Sequence, residues 1–414
     1  MRFYLAKYES VVHSIRSLRG RDFRFLWISD ICNSLAEQME FVVLSWFVLI
    51  ETDSPFWVGV FVSLRFAGTL FAPFYGVLAD RYNRKYIFLG VRTSFIILSA
   101  IILYVSLTDG LEIWHTFVLV SIFGCARAFD GVMRETVLAD LVQKEGLGNA
   151  AALTRMARDV TQMLGPIIGG FMLSQYDMNY SYSIIVIIYS LAVISGYMIK
   201  HPVRCSATSS RSILRDMSQS LTYIVNHRLL LALLSIYVVL NGTAFTTNHG
   251  LMTIFSLEVL ETGSTGLGIL LGTYSAGALV GSISVAILPN IQRPGKVFMI
   301  GTWIWYIMIL AVSQVIWFGA SLPLFALAGF SQSVVMVMLT ILILTESGEG
   351  YRGSVMGVRH LAVYGLPIGM FISGSLAGIG GAPLALIINS LTGMLIIFLM
   401  QVSGFSKNLW IVRH

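Results

Sequence analysis

The sequence predicts an all-α polytopic membrane protein, with twelve transmembrane helices arranged as two pseudo-symmetric six-helix halves. Three observations carry that prediction. Only 12% of the 414 residues are charged, about half the roughly 25% of a soluble domain, while 56% are hydrophobic and the mean hydropathy is +0.79. Apolar runs of about twenty residues recur along the whole chain, each long enough to cross a hydrocarbon core of about 30 Å. Lys and Arg are confined to alternate connections between these runs, the pattern that orients spans in a bilayer. Together these exclude a disordered chain, a collagen, a disulfide scaffold and an ordinary soluble enzyme.

Marked off by Gly, Pro and clusters of charge, the spans run from Phe25 to Ile50, Phe56 to Ala79, Tyr86 to Leu107, Ile113 to Met133, Ala151 to Ser174 and Ser181 to Ile199. After a hydrophilic stretch they continue from Leu229 to Leu251, Gly266 to Leu288, Val297 to Val315, Trp317 to Leu344, Gly353 to Ala377 and Pro383 to Val402. With this division, 21 basic residues fall before the first span, in the even-numbered connections and after the last span, and the odd-numbered connections hold none. Those connections carry acids instead: Glu51, Asp53, Asp109, Glu112, Asp177, Glu258 and Glu261. Both termini are therefore expected in the cytoplasm, with the protein in the cell (inner) membrane. Trp46, Trp57, Trp114 and Trp317 fall at the expected outer edges, where amphipathic indoles settle.

The formal charge of +6 is thus an orientation signal. No basic stretch carries the interleaved aromatics of a nucleic-acid surface, so no nucleic-acid partner is expected. Cys32, Cys125 and Cys205 sit in two apolar stretches and a basic loop and predict no oxidised framework. The basic residues before the first span lack a short apolar core and cleavage site, so that span is expected to serve as its own anchor.

The hydrophilic stretch, with Pro202, Arg204, Arg211 and Arg215, reads as a cytoplasmic linker over residues 200–228 between an N-terminal half, 1–199, and a C-terminal half, 229–414. The halves repeat faintly. Arg158 and Pro166 in the fifth span recur as Arg359 and Pro367 in the eleventh, and Gly59 in the second has a counterpart in Gly266. Parallel six-span halves are a transporter plan.

After the second span comes Gly76, Val77, Leu78, Ala79, Asp80, Arg81, Tyr82, Asn83, Arg84, Lys85. An acid at a helix end followed by basic residues can bridge neighbouring helix termini through charge-assisted hydrogen bonds and release them as the helices separate. This run resembles the G-x-L-a-D-R-x-x-R-R/K signature of the major facilitator superfamily, and the resemblance covers nearly the whole chain. The order of features is similar to the exporter branch for drugs and siderophores, of macrolide efflux and enterobactin exporter type. Two further motifs match. Arg127, Asp130 and Gly131 in the fourth span are similar to the family's R-x-x-Q-G element, associated with proton transfer, with an acid in place of the amide. Gly165, Pro166, Gly169 and Gly170 in the fifth match the G-P-x-x-G-G core of the antiporter branch, although Thr161 stands where a further glycine belongs. Proline removes a backbone donor and glycine permits close helix approach, so the motif also describes a bend packed on a neighbour.

The embedded charges say most about mechanism. Asp30, Asn33, Ser34, Glu37 and Glu40 fall within about a third of the first helix's circumference and form one polar stripe that must face protein or water. A carboxylate there is costly unless paired or hydrated, and an acid that gains and loses a proton as its site opens is what a coupled transporter needs. Arg65, Arg92 and Arg127 also lie in apolar runs, and none can lose its proton. Arg65 is the expected partner of a first-span acid, Arg127 and Asp130 are spaced to pair with each other, and Arg92 is close enough to the cytoplasmic end to snorkel. In the second half, Asn241, Thr246, Asn248, His249, Gln332 and Asn389 are the polar residues available to line a facing wall.

No metal-ligand spacing, phosphate-binding glycine loop or nucleophile constellation occurs, so neither a cofactor nor an enzymatic reaction is expected. The expected function is proton-coupled export of an amphipathic, drug-like small molecule by a monomer using alternating access. Glu37 and Glu40 would carry the proton or meet a cationic substrate, Asp80, Arg81, Arg84 and Lys85 would latch one state, and Gly165 to Gly170 would shape the moving helix. A siderophore exporter, a proton-coupled symporter for a nutrient or lysolipid, and a non-transporting receptor on the same fold are the alternatives. The orientation is testable by fusions: green fluorescent protein after His414 is expected to fluoresce, and alkaline phosphatase inserted at Thr108 to be active.

Overall fold

The computed structural model describes residues 20–71, 75, 83–142, 144–200, 222–287, 291–347, 355–356, 358–359, 362–405 and 407–410. Among these residues all regular structure is helical. The first helices are α1 (Arg21–Thr52), α2 (Pro55–Ala67, followed by a 3-10 turn Gly68–Phe71), α3 (Arg84–Leu107), α4 (Ile113–Leu141), α5 (Lys144–Gln175) and α6 (Met178–Tyr197). Then come α7 (Arg228–Thr243), a π-helical turn (Thr247–Leu251), α8 (Met252–Glu258), α9 (Ser264–Ile287), α10 (Pro294–Val312), α11 (Phe318–Glu346) and α12 (Gly365–Val402).

Each predicted span contains helix among the described residues, and eight helices, with α7 and α8 taken as one, are long and apolar enough to cross a membrane. The differences have local causes. The eleventh and twelfth spans are joined in α12 without a loop; the break lies at Gly380 and at Gly381, whose φ of 75° suits a residue without a Cβ. The seventh span runs beyond Leu251 through the π-helical turn, so Glu258 closes a helix and is not part of an outer connection. Its carboxylate accepts the Ala382 N–H at 3.2 Å, just past that break.

Residue contacts group Met1–Val43 with Ala67–Ser209 as one compact unit, and Leu44–Phe66 with Ser210–His414 as another. The last turns of α1 and nearly all of α2 therefore belong with the second unit. Most of the expected linker, 201–221, lies outside the described residues.

In the first unit, α5 lies against α1 through the glycine motif. A Cβ on Gly169 would stand 2.8 Å from Met39 Cα and 3.0 Å from its carbonyl oxygen, and one on Gly165 would meet Gln38 Cβ. Small residues one turn apart let the backbones touch. The Thr161 that departs from the motif has a partner, because its hydroxyl is 2.7 Å from that of Ser34 on α1. The second unit repeats the device, with Gly365 against Val238 and Gly369 against Gly242, which pins α12 on α7. Further out in the first unit, the Phe95 ring stacks on Phe123 at 5.7 Å and on Tyr189 at 5.5 Å, tying α3 to α4 and α6.

Gly169→Val is expected to cost about 1–3 kcal/mol, as overpacking does elsewhere, and to lower the Tm measured in detergent. Gly131→Ala, at a site with nothing within 4 Å of the new Cβ, is expected to leave it unchanged.

Candidate transport site

The polar stripe of α1 faces protein. Asp30, Asn33, Ser34 and Glu40 are all buried, as a charge-bearing face must be in an apolar surround. Each has a different fate, decided by which helix lies opposite.

At the level of Asp30 the partner is Arg92 on α3, which is 1% exposed. Arg92 donates Nε to Asp130 Oδ1 on α4 at 2.9 Å, and its terminal nitrogens to Asp30 Oδ1 and to the Ser29 hydroxyl. Its guanidinium also lies over the Phe88 ring, 4.0 Å from the centroid. Ser29 in turn donates to the Ala192 carbonyl on α6, so one cation joins α1, α3 and α4 directly and reaches α6 through a hydroxyl. The expectation that Arg92 snorkels is thereby corrected. Two carboxylates and a hydroxyl inside the unit offer it more than a headgroup would, and a planar five-donor fork can serve all three.

About two turns further along α1, Glu37 pairs with Arg127 on α4. The expected pairing of Arg127 with Asp130 gives way to two ion pairs between helices, Arg127 with Glu37 and Asp130 with Arg92. Unlike the Arg92 node, this pair is accessible: 32% of the Arg127 side chain and 20% of the Glu37 side chain remain exposed. Glu40 is 2% exposed and accepts the Tyr189 hydroxyl at 3.0 Å from α6. Arg65, expected beside a first-span acid, is buried in α2 and groups with the second unit.

Gly76, Asp80 and Arg81 of the loop motif lie outside the described residues. Arg84 and Lys85 are anchored. Arg84 Nη1 contacts both oxygens of Asp140, at 2.9 and 3.1 Å, at the end of α4. Lys85 reaches the Ile199 carbonyl just past α6. Asn83 caps α3 by accepting the Lys85 N–H at 3.1 Å.

The polar residues of the second unit form neutral hydrogen bonds. Asn389 on α12 donates to Thr246 at 3.0 Å and to Ser373 at 2.8 Å, and Thr243 meets the Tyr306 hydroxyl at 2.6 Å. Asn241 turns back to the Tyr237 carbonyl. His249, in the π-helical turn, lies between the rings of Phe66 and Phe245. Three participants carry little warning in the sequence: Ser29 and Thr161 read as ordinary small polar residues, and Tyr189 sits in an apolar run. The one available signal is chemical, since a buried hydroxyl needs a partner.

Removing the cation would strand two buried carboxylates, so Arg92→Met is expected to cost about 3–5 kcal/mol and to lower the Tm in detergent. Arg92→Lys is expected to recover only part of that loss, because one ammonium cannot reproduce the three-way fork.

Comparisons with known proteins bear on the family and the fold. The family model described as Major Facilitator Superfamily matches residues 26–368. Macrolide efflux protein A of Enterococcus faecalis is 21% identical over 239 residues, covering 56% of this chain and 74% of that protein. The Streptococcus pyogenes protein of the same name is also 21% identical, and there the matched region spans 59% of the relative's length. Among solved structures, the nucleoside transporter NupG aligns over 92% of this chain and 98% of its own with a TM-score of 0.74 and 14% identity. A bacterial homolog of the human lysosomal transporter Spinster, inward-facing and unoccupied, aligns over 94% and 97% with a TM-score of 0.69 and 12% identity. At those identities the structural likeness is one of fold. The match to the family model spans most of the chain, which is therefore a member of the Major Facilitator Superfamily, a family of multi-pass membrane transporters and not of enzymes.

Proposed function

We propose that the protein is a monomeric secondary transporter of the cell membrane that exports an amphipathic, macrolide-like molecule in exchange for protons. The observation that carries this reading is the contrast between the two ion-pair levels of α1. Asp30 and Asp130 are held by a guanidinium closed off from solvent, whereas Glu37 shares an accessible pair with Arg127. A proton arriving at Glu37 neutralises it and frees Arg127, while the Arg92 node stays intact and keeps the helices in register. Loss of the proton on the other side restores the pair. Glu40, with its Tyr189 hydrogen bond, and Asn33 line the same stripe and serve as substrate contacts. Arg65 and Asp130 act as fixed charges that bias the exchange.

The Gly165, Pro166, Gly169 and Gly170 contact lets α5 move closely against α1, and the loop motif from Gly76 to Lys85 latches one state. Export as the direction is supported by the glycine-proline motif and by the names of the efflux relatives. The adaptable apolar surface a macrolide needs is available from 18 Met and 25 Phe.

The test is transport of a labelled macrolide in proteoliposomes. Efflux driven by a pH gradient is expected to fall about tenfold in Glu37→Gln, within the range usual for coupling between two sites, while substrate exchange without a gradient persists. Gradient-driven efflux that survives unchanged in both Glu37→Gln and Glu40→Gln removes the coupling assignment.

A further inference from the structure

The first unit holds two cations with no use in the scheme above. Arg134 lies on α4 one turn beyond Asp130 and two turns beyond Arg127, on the same helical face. Arg158 lies on α5 one turn before Thr161, whose hydroxyl meets Ser34; Asp30 is one turn before Ser34 on α1. The register fixed by Ser34 and Thr161, and continued by Gly165 and Gly169, therefore sets Arg158 at the level of Asp30. Both arginines are partly buried. They repel one another, and each feels the charge of Asp30.

The carboxylates around them are engaged elsewhere. Asp130 and Asp30 Oδ1 are bound to Arg92, Glu37 to Arg127, Asp140 to Arg84 and Asp159 to Arg155. Neither the Arg134 nor the Arg158 guanidinium makes a hydrogen bond or ion pair among the described residues; Arg158 takes part only through its carbonyl, which accepts the Thr161 hydroxyl. Two acceptors on the facing side of α1, Asp30 Oδ2 and Asn33 Oδ1, are also buried without a hydrogen-bond partner among those residues. A guanidinium cannot shed its proton to relieve burial, and two of them side by side gain nothing from each other. Negative charge brought by a third party would relieve that repulsion.

We propose that Arg134 and Arg158 form an oxyanion clamp, a binding site for the carboxylate or phosphate group of a ligand approaching between α4 and α5. Two planar forks on neighbouring helices, near enough to repel one another, suit an anion with several acceptor oxygens. The empty acceptors of Asp30 and Asn33, one turn apart, suit a hydroxyl or ammonium next to that anion. The clamp adds an anionic requirement that proton antiport does not supply, and it stands whether or not protons drive transport. The anion has two possible sources, a soluble molecule to be transported or the headgroup of an acidic lipid.

Thermal unfolding of the purified full-length protein in neutral detergent tests the clamp without assaying transport. One arm titrates sodium phosphate or sodium citrate against sodium chloride at equal ionic strength. The other adds short-chain phosphatidylglycerol or phosphatidylcholine to delipidated protein. A saturable rise in Tm is expected with an oxyanion, with half-saturation about tenfold weaker in Arg134→Gln and Arg158→Gln, the scale of losing charge-assisted hydrogen bonds. Arg155→Gln, which changes an exposed pair, is expected to keep the response. Both glutamine variants remove an uncompensated charge and are expected to unfold at or above the wild-type Tm without ligand. Phosphate or citrate acting alone assigns the clamp to a soluble ligand, and phosphatidylglycerol acting alone assigns it to lipid. No response to either probe overturns the clamp, as does a response that survives in both variants. Loss of folding in both variants also overturns it, by making the guanidiniums structural supports.

Discussion

A single buried cation organises the first unit. Arg92 has no protonation state in which it is harmless, so every helix that approaches it must bring an acceptor, and α1 and α4 bring carboxylates while α6 contributes through Ser29. Replacing this node by hydrocarbon of the same shape would not by itself weaken packing, because buried ion pairs are poor sources of net stability. Its effect is on specificity. It rewards only the rotation of α1 that points Asp30 inward, and that rotation carries Ser34 to Thr161, Glu37 to Arg127 and Glu40 to Tyr189. The Glu37–Arg127 pair stays partly exposed while the Arg92 node beside it is closed off from solvent.

The two units divide the polar work unequally. The first concentrates formal charge in and around α1, α3 and α4. The second uses amide and hydroxyl groups, Asn389 with Thr246 and Ser373, and Thr243 with Tyr306. It also contains the one departure from α-helical geometry within the seventh span, the π-helical turn from Thr247 to Leu251. Widened turns of this kind concentrate at functional positions, and here the turn carries His249 to a place between two aromatic rings. The hydrogen bonds of Asn389 are buried, so each partner stays satisfied only while the other is in place.

What was legible in the sequence follows from what is local. The spans, the alternation of charge and the inward stripe of α1 are properties of one helix at a time, and period and composition disclose them. Pairing is a property of two helices. Arg127 and Asp130 are three residues apart and look like partners, yet each is drawn to a different neighbour because Glu37 of α1 and Arg92 of α3 both meet this stretch of α4. Arg92 looks close enough to the helix end to reach a headgroup, and only the convergence of Asp30 and Asp130 shows why it stays inside. The glycine-proline motif announced a close contact without naming Leu35 to Met39 as the surface it touches. The boundary between the eleventh and twelfth spans, read between Ala377 and Pro383, coincides with the break at Gly380 and Gly381, although no polar loop marks it.

The outer connections show how tightly sequence and backbone are bound together. Asp53, Asp109 and Glu261 adopt left-handed backbone angles, with φ between 46° and 52°, and Asp177 has φ of 117°. These are conformations in which glycine or asparagine would meet less resistance. The same acidic residues that stand in the connections without Lys or Arg therefore also turn the chain within a few residues. Asp177 adds a third duty by accepting the Tyr180 N–H at the start of α6. Such turns expose very little slack chain, so they give proteases and antibodies few footholds.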